Sequence, residues 1–277
     1  MKGYGVRRHK VAGILALSLM ALVSGCTSKQ NQAIPEISGM KLAWHDEFDY
    51  QGLPDPEKWG YDTGGSGWGN DELQYYTEKR LDNAKVEKGM LILTARKEIL
   101  EGSDYTSARL VTKDKGDWLY GHVEVRAKIP SGRGSWPAIW MMPSESAYGN
   151  WPNSGEMDIM EHVGFDKGII HATAHTEKYY WKNNNQKTGQ IAVDSPDDGF
   201  HIYALDWSAD EIEASVDGKT YFTYKPDESE LDEGSAVWPF DRKFYLILNI
   251  AIGGSWGGQQ GVDDEAFSQA MEVDYVR

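Results

Sequence analysis

The sequence predicts an all-β fold, a sandwich of two antiparallel sheets, on three observations. Short apolar or alternating stretches succeed one another from Leu42 onwards, punctuated by Gly, Pro and Asn turns, with almost no helical periodicity. No strand–helix–strand rhythm recurs, which sets aside a parallel sheet with helical crossovers. No internal repeat or compositional break follows residue 41, so residues 41–277 read as one domain, long enough to bury a sizeable core.

The elements bear this out in order. Leu91-Ile92-Leu93-Thr94-Ala95 is an apolar run suited to a sandwich core. Val123, Val125, Ala127 and Ile129 alternate with Glu124, Arg126 and Lys128, a strand with one wet face. Glu211–Val216 and Lys219–Tyr224 flank Asp217-Gly218, the signal for a hairpin with a type I′ turn. Phe244–Ile252 (FYLILNIAI) is almost continuously apolar and predicts a central strand covered on both faces.

The N-terminus reads as a targeting segment. Lys2, Arg7, Arg8 and Lys10 precede an apolar run, Val11–Val23, too short to span a bilayer comfortably. The run ends in Val-Ser-Gly-Cys26, which resembles the lipobox of bacterial lipoproteins, where cleavage leaves the cysteine as a lipidated N-terminus. We therefore expect a lipoprotein signal peptide over 1–25, lipidation at Cys26, a flexible polar tether over 26–40 and the folded domain over 41–277. Thr27 rather than Asp after the cysteine points to the outer membrane, so the expected location is the bacterial cell envelope, periplasmic or surface-facing. Cys26 is the only cysteine, so no internal disulfide is available and stability must come from the core.

Charge narrows the partners. The leader holds four of the 28 basic residues and none of the 43 acidic ones, which leaves a mature chain at −19. Such a surface repels nucleic acid and anionic polysaccharide over a Debye length of roughly 8 Å. Neutral glycans suit it better, and the eleven Trp, all beyond the tether, offer flat faces for sugar rings as well as mass for the core.

The segment Gly155-Glu156-Met157-Asp158-Ile159-Met160-Glu161-His162 carries the strongest chemical signal. In a strand Glu156 and Asp158 share one face, while strict alternation would bury Glu161 on the opposite, apolar face at considerable cost. One extra residue at Ile159-Met160, a β-bulge, restores the phase and gathers the three carboxyl groups. Two such carboxyls can serve retaining glycoside hydrolysis, which places them roughly 5 Å apart. The Cα span is about 13 Å at roughly 3.3 Å per step, so the strand must be concave on this face. A solvated polar strand face without chemistry would have the same spacing.

Other stretches bear on that choice. Gly64–Thr77 is a Gly-rich loop containing Trp68, Asn70 and Glu72; it lacks the Lys-Ser/Thr of a phosphate loop, so it reads as a wall exposing aromatic and amide groups to a glycan. Trp136 and Trp140 lie four apart on one strand face, a candidate sugar platform, and Trp256 sits in Gly253-Gly254-Ser255-Trp256-Gly257-Gly258, exposed on a flexible frame. His171 and His175 are also four apart, about 13 Å on a strand, too wide for an easy shared zinc; His175 is expected to hydrogen-bond substrate instead.

Glu156-x-Asp158-x-x-Glu161, Trp136-Pro-Ala-Ile-Trp140, His171-Ala-Thr-Ala-His175 and the Trp256 loop together resemble the signatures of glycoside hydrolase family 16, over about Trp44 to Arg277. The extra residue before Glu161 and the Gly67–Thr77 loop resemble its laminarinases, endo-β-1,3-glucanases. The resemblance implies a concanavalin-like β-jelly-roll with a concave cleft, Glu156 as nucleophile, Glu161 as acid/base and Asp158 as their partner. It implies no cofactor for catalysis, a structural calcium held through the carbonyls of Glu47 and Gly89 and the side chain of Asp274, and a monomer acting on neutral β-glucan. Mixed-linkage β-1,3-1,4-glucan or an algal galactan is the alternative substrate. A non-catalytic glycan-binding protein on this scaffold is disfavoured because both Glu156 and Glu161 are present.

Overall fold

The computed structural model of the chain describes residues 33–37 and 39–277 together with Met1. The expected leader beyond Met1, and Cys26, lie outside the described residues. Two sheets stack face to face, and helix among the described residues is confined to 3-10 turns. The first sheet runs, in spatial order, through Gly60–Asp62, Arg109–Val111, Phe244–Ile252, Ser135–Pro143, Glu156–Glu161, Ile169–His175 and Lys187–Ala192, with Asp117–Trp118 pairing Phe244–Ile252. The second runs through Lys219–Tyr224, Ile212–Val216, His201–Trp207, Gly121–Lys128, Gln269–Val276, Met90–Leu100, Ser103–Ser107 and Gln74–Tyr76, with Ala84–Glu87 on Met90–Leu100. Pairing is antiparallel except at one edge, where Gln74–Tyr76 joins Ser103–Ser107 in parallel. That short strand ends the Gly-rich stretch Gly64–Thr77, whose local pattern predicts loop throughout.

The apolar patterns become core as expected. Every residue of Phe244–Ile252 is buried. Phe244, Leu246, Leu248, Ile250 and Ile252 enter the main inter-sheet core with Leu91, Leu93, Val125, Ala127, Ile139 and Met141. Tyr245 and Ile247, on the other face of the strand, form a smaller cluster with Val111, Trp140 and Met142. Each fully buried side chain of this kind contributes about 1.5–3 kcal/mol of apolar transfer energy. The predicted hairpin forms as Ile212–Val216 and Lys219–Tyr224, with Asp217 and Gly218 both at positive φ, +50° and +76°, as a type I′ turn requires.

The bulge is present where the acids demanded it. Opposite Ser135–Pro143, Asp158 pairs Trp140 and Met160 pairs Ile139; opposite Ile169–His175, Asp158 pairs Thr173 and Glu161 pairs His171. Met157, Ile159 and Met160 are fully buried in the core, while Glu156 and Glu161 are only partly covered. The Ile159 carbonyl receives a 2.7 Å hydrogen bond from the Tyr221 hydroxyl of the hairpin, which satisfies a backbone acceptor beside the disrupted ladder.

Candidate active site

Alternation along three adjacent strands builds one face. Ser135–Pro143 contributes Trp136, Ala138, Trp140 and Met142; the bulged strand contributes its three acids; Ile169–His175 contributes His171, Thr173 and His175. The loop residues Trp68, Asn70, Glu72 and Trp256 close over this face, and together they line a cleft of about 940 Å³. The three acids and all five sequence-assigned glycan contacts (Asn70, Trp136, Trp140, His175, Trp256) therefore meet in a single cleft. Trp256 is half-buried rather than free on its loop: its ring stands edge-on to Trp136 at 5.4 Å and to His171 at 5.0 Å.

Each acid has its own surroundings. Glu156 accepts a 2.8 Å hydrogen bond from Trp151 Nε1 on Oε2, and its Oε1 lies 3.8 Å from His175 Nε2. Asp158, 2% exposed, lies between them, with Oδ2 3.5 Å from the same His175 nitrogen. Glu161 accepts a 3.0 Å hydrogen bond from Trp136 Nε1. Thus one indole donates to each glutamate.

These contacts separate the protonation states. Burial pushes Glu156 up to about 7, opposed by the Trp151 hydrogen bond, the positive charge of Arg109 and a hydrogen bond from Asp158. Burial pushes Glu161 to about 8, reinforced by the negative charges of Glu156 and Glu72 and opposed by the Trp136 hydrogen bond. Asp158 is raised well above the usual carboxylate range by burial and by the charges of both glutamates, so it keeps a proton and offers it to Glu156. The three titrate as a set, with burial raising both glutamates above the ordinary carboxylate range. Burial lowers His175 to about 4, leaving it neutral beside the acids. Glu156, Asp158 and His175 offer ligand atoms all within 4.8 Å of one another, close enough to hold a metal ion.

Trp151, Arg109 and Glu72 are among the cleft residues to which the sequence assigns no role. Trp151 reaches Glu156 through the turn between them, where Gly155 adopts a φ of +86° and a Cβ would meet Phe240 and Pro239 at 2.9 Å. Arg109 lies between the rings of Trp68 and Trp140, 4.7 Å from each centroid, and pairs with Asp62 at 3.0 Å. Glu72 accepts hydrogen bonds from Asn70, Gln74 and Tyr76. The Trp-Pro pair before the acid motif was a usable signal for the first; Arg109 has none, since its partners are remote in sequence.

At the expected calcium position the side chains are engaged. Arg277 makes two hydrogen bonds to the Glu47 carboxylate, at 3.0 and 2.9 Å, and Arg126 donates to Asp274 Oδ2 at 2.6 Å. A carboxylate and backbone carbonyls are hard oxygen donors of the kind calcium takes, and here the Asp274 carboxylate is paired with the Arg126 guanidinium.

A two-sheet sandwich whose cleft gathers three acids between indole walls defines a glycan-cleaving hydrolase. The model of glycosyl hydrolases family 16 matches residues 71–277, and the chain belongs to that family. A beta-glucanase of Rhodothermus marinus is 51% identical over 263 residues, covering 94% of this chain and 92% of that one. The solved laminarinase of Rhodothermus marinus superposes with a TM-score of 0.83 at 54% identity, covering 86% of this chain and 96% of that one. A solved non-specific endo-β-1,3(4)-glucanase superposes with a TM-score of 0.82 at 48% identity, covering 89% and 92% respectively.

Proposed function

We propose that the chain is an endo-β-1,3-glucanase that hydrolyses laminarin-like glucan with retention of configuration. The observation that carries this reading is the trio of acids that the bulged strand gathers in one cleft, with Trp151 donating to Glu156 and Trp136 to Glu161. Glu156 attacks the anomeric carbon while Glu161 protonates the departing glycosidic oxygen. Glu161, then ionised, takes a proton from water, which displaces the sugar from Glu156. Asp158 hydrogen-bonds the nucleophile and holds its orientation. Carboxyl groups alone supply this chemistry, without a metal or organic cofactor.

The naming of the Rhodothermus relative as a laminarinase supports β-1,3-linked glucan as substrate. The relative named as a non-specific 1,3(4)-glucanase supports a second reading, in which mixed-linkage glucan is also cut. Product chromatography on purified laminarin, mixed-linkage glucan and algal galactans distinguishes these. Fast release of oligosaccharides from laminarin is expected, and activity confined to a galactan would overturn the assignment.

The reading extends to three further features. The chain is held in the cell envelope by lipid on Cys26, with 26–40 as tether to a monomeric domain; persistent membrane association of Cys26→Ala would contradict this. A calcium ion bound through Glu47, Gly89 and Asp274 braces the sheet opposite the cleft. Chelation is then expected to lower Tm, and an unchanged Tm would remove the calcium. Nucleic acid is no partner of so acidic a chain.

A further inference from the structure

Glu72 lines the cleft without an assigned role, yet hydrogen bonds converge on it. Gln74 Nε2 reaches its Oε2 at 2.6 Å and Tyr76 Oη reaches the same oxygen at 3.3 Å, while Asn70 Nδ2 lies 3.4 Å from Oε1. Gln74 and Tyr76 are fully buried, and Asn249, the next member, nearly so.

The direction of these bonds is forced from their far ends. Trp140 Nε1 can only donate, so the Asn249 atom 2.7 Å away is its oxygen. Asn249 Nδ2 must then face Tyr76 Oη, 2.9 Å away, and the phenol, having accepted there, turns its own hydrogen to Glu72. On a second branch the Ile252 backbone amide donates to Gln74 Oε1 at 2.7 Å, which leaves the Gln74 amino group for Glu72. Both branches thus end as donors on one oxygen, Oε2, while Asn70 Nδ2 faces the other. A carboxylate accepts all three; a glutamine could take both branches on its oxygen, but its amino group would then confront the Asn70 amino group and turn that amide over.

We propose that Glu72 is a positioning residue for the glycan-binding side of the cleft. As the common acceptor it fixes the Trp140 indole through Tyr76 and Asn249, and it holds Asn70 by its amino group, leaving the Asn70 carbonyl oxygen to receive a sugar hydroxyl. The inference rests on the glucan-cleaving reading and deepens it. Burial raises the Glu72 carboxyl above its ordinary value; the hydrogen bonds from Gln74, Asn70 and Tyr76 and the charge of Arg109, whose guanidinium lies against Trp140, oppose that rise.

The test measures laminari-oligosaccharide binding by calorimetry in the full chain carrying Glu156→Gln, which cannot turn the ligand over. Adding Glu72→Gln is expected to weaken binding about tenfold, the effect of one misplaced buried hydrogen bond, with Tm within about 2 °C of the parent. Tyr76→Phe, which cuts the relay but keeps the ring, is expected to weaken binding in the same direction. In the active enzyme Glu72→Gln raises KM more than it lowers kcat, and Glu72→Asp restores part of the loss. Unchanged affinity in both variants, or a loss that tracks a fall in Tm, would overturn the proposal. Trp140→Ala in the same background separates the two levels of inference. If it weakens binding while Glu72→Gln does not, the relay alone fails; if neither matters, the glycan reading of this side fails with it.

Discussion

Trp151 Nε1 donates a 2.8 Å hydrogen bond to Oε2 of Glu156, five residues downstream. That bond opposes the burial that raises the Glu156 carboxyl, and so helps it to ionise near neutral pH. Removing the donor in Trp151→Phe leaves a partly buried carboxylate short of a partner. The acid limb of the kcat/KM profile is expected to move to higher pH, with kcat/KM lowered about tenfold at pH 6.5 for a lost charge-assisted bond. An unmoved acid limb would show that the indole serves packing alone.

The wild-type profile follows from the two glutamates. Glu156 must be ionised, so activity is lost as pH falls through about 7. Glu161 must be protonated, so activity is lost as pH rises through about 8. The expected result is a narrow bell centred between them, its limbs belonging to the coupled set rather than to isolated groups. A plateau persisting down to pH 5 would mean that Glu156 titrates as an ordinary carboxylate.

The bulge depends on the second sheet. Tyr221→Phe removes the donor to the Ile159 carbonyl and is expected to lower stability by about 1–2 kcal/mol, the cost of an orphaned buried acceptor. Because the bulge sets where Glu161 points, kcat should fall with KM nearly unchanged. Denaturant melts and steady-state kinetics together check this. A stability loss with full kcat would show that the bulge holds itself.

How far the sequence reached can be read from these same residues. The acid strand was legible because a carboxylate at Glu161 is incompatible with simple alternation, and the bulge that resolves the conflict lies between Asp158 and Glu161. The hairpin at Asp217-Gly218 and the doubly covered strand Phe244–Ile252 were legible from local pattern. Tyr221, Arg109 and the Glu72 relay were not, because each works through partners distant in the chain: Tyr221 acts on Ile159, Arg109 between Trp68 and Trp140, and Glu72 on Asn249 through Tyr76. The pairing of Arg126 with Asp274 and of Arg277 with Glu47 is likewise set by neighbouring strands rather than by spacing.

The most direct test of the account is to trap the covalent intermediate. A fluorinated β-glucosyl donor, reactive in the first step and slow in the second, should inactivate the enzyme one-to-one. Peptide mass spectrometry should then find the sugar ester on Glu156. Label on any other residue, or turnover of the donor to an α-configured product with no label at all, would contradict the assignment of Glu156 as nucleophile.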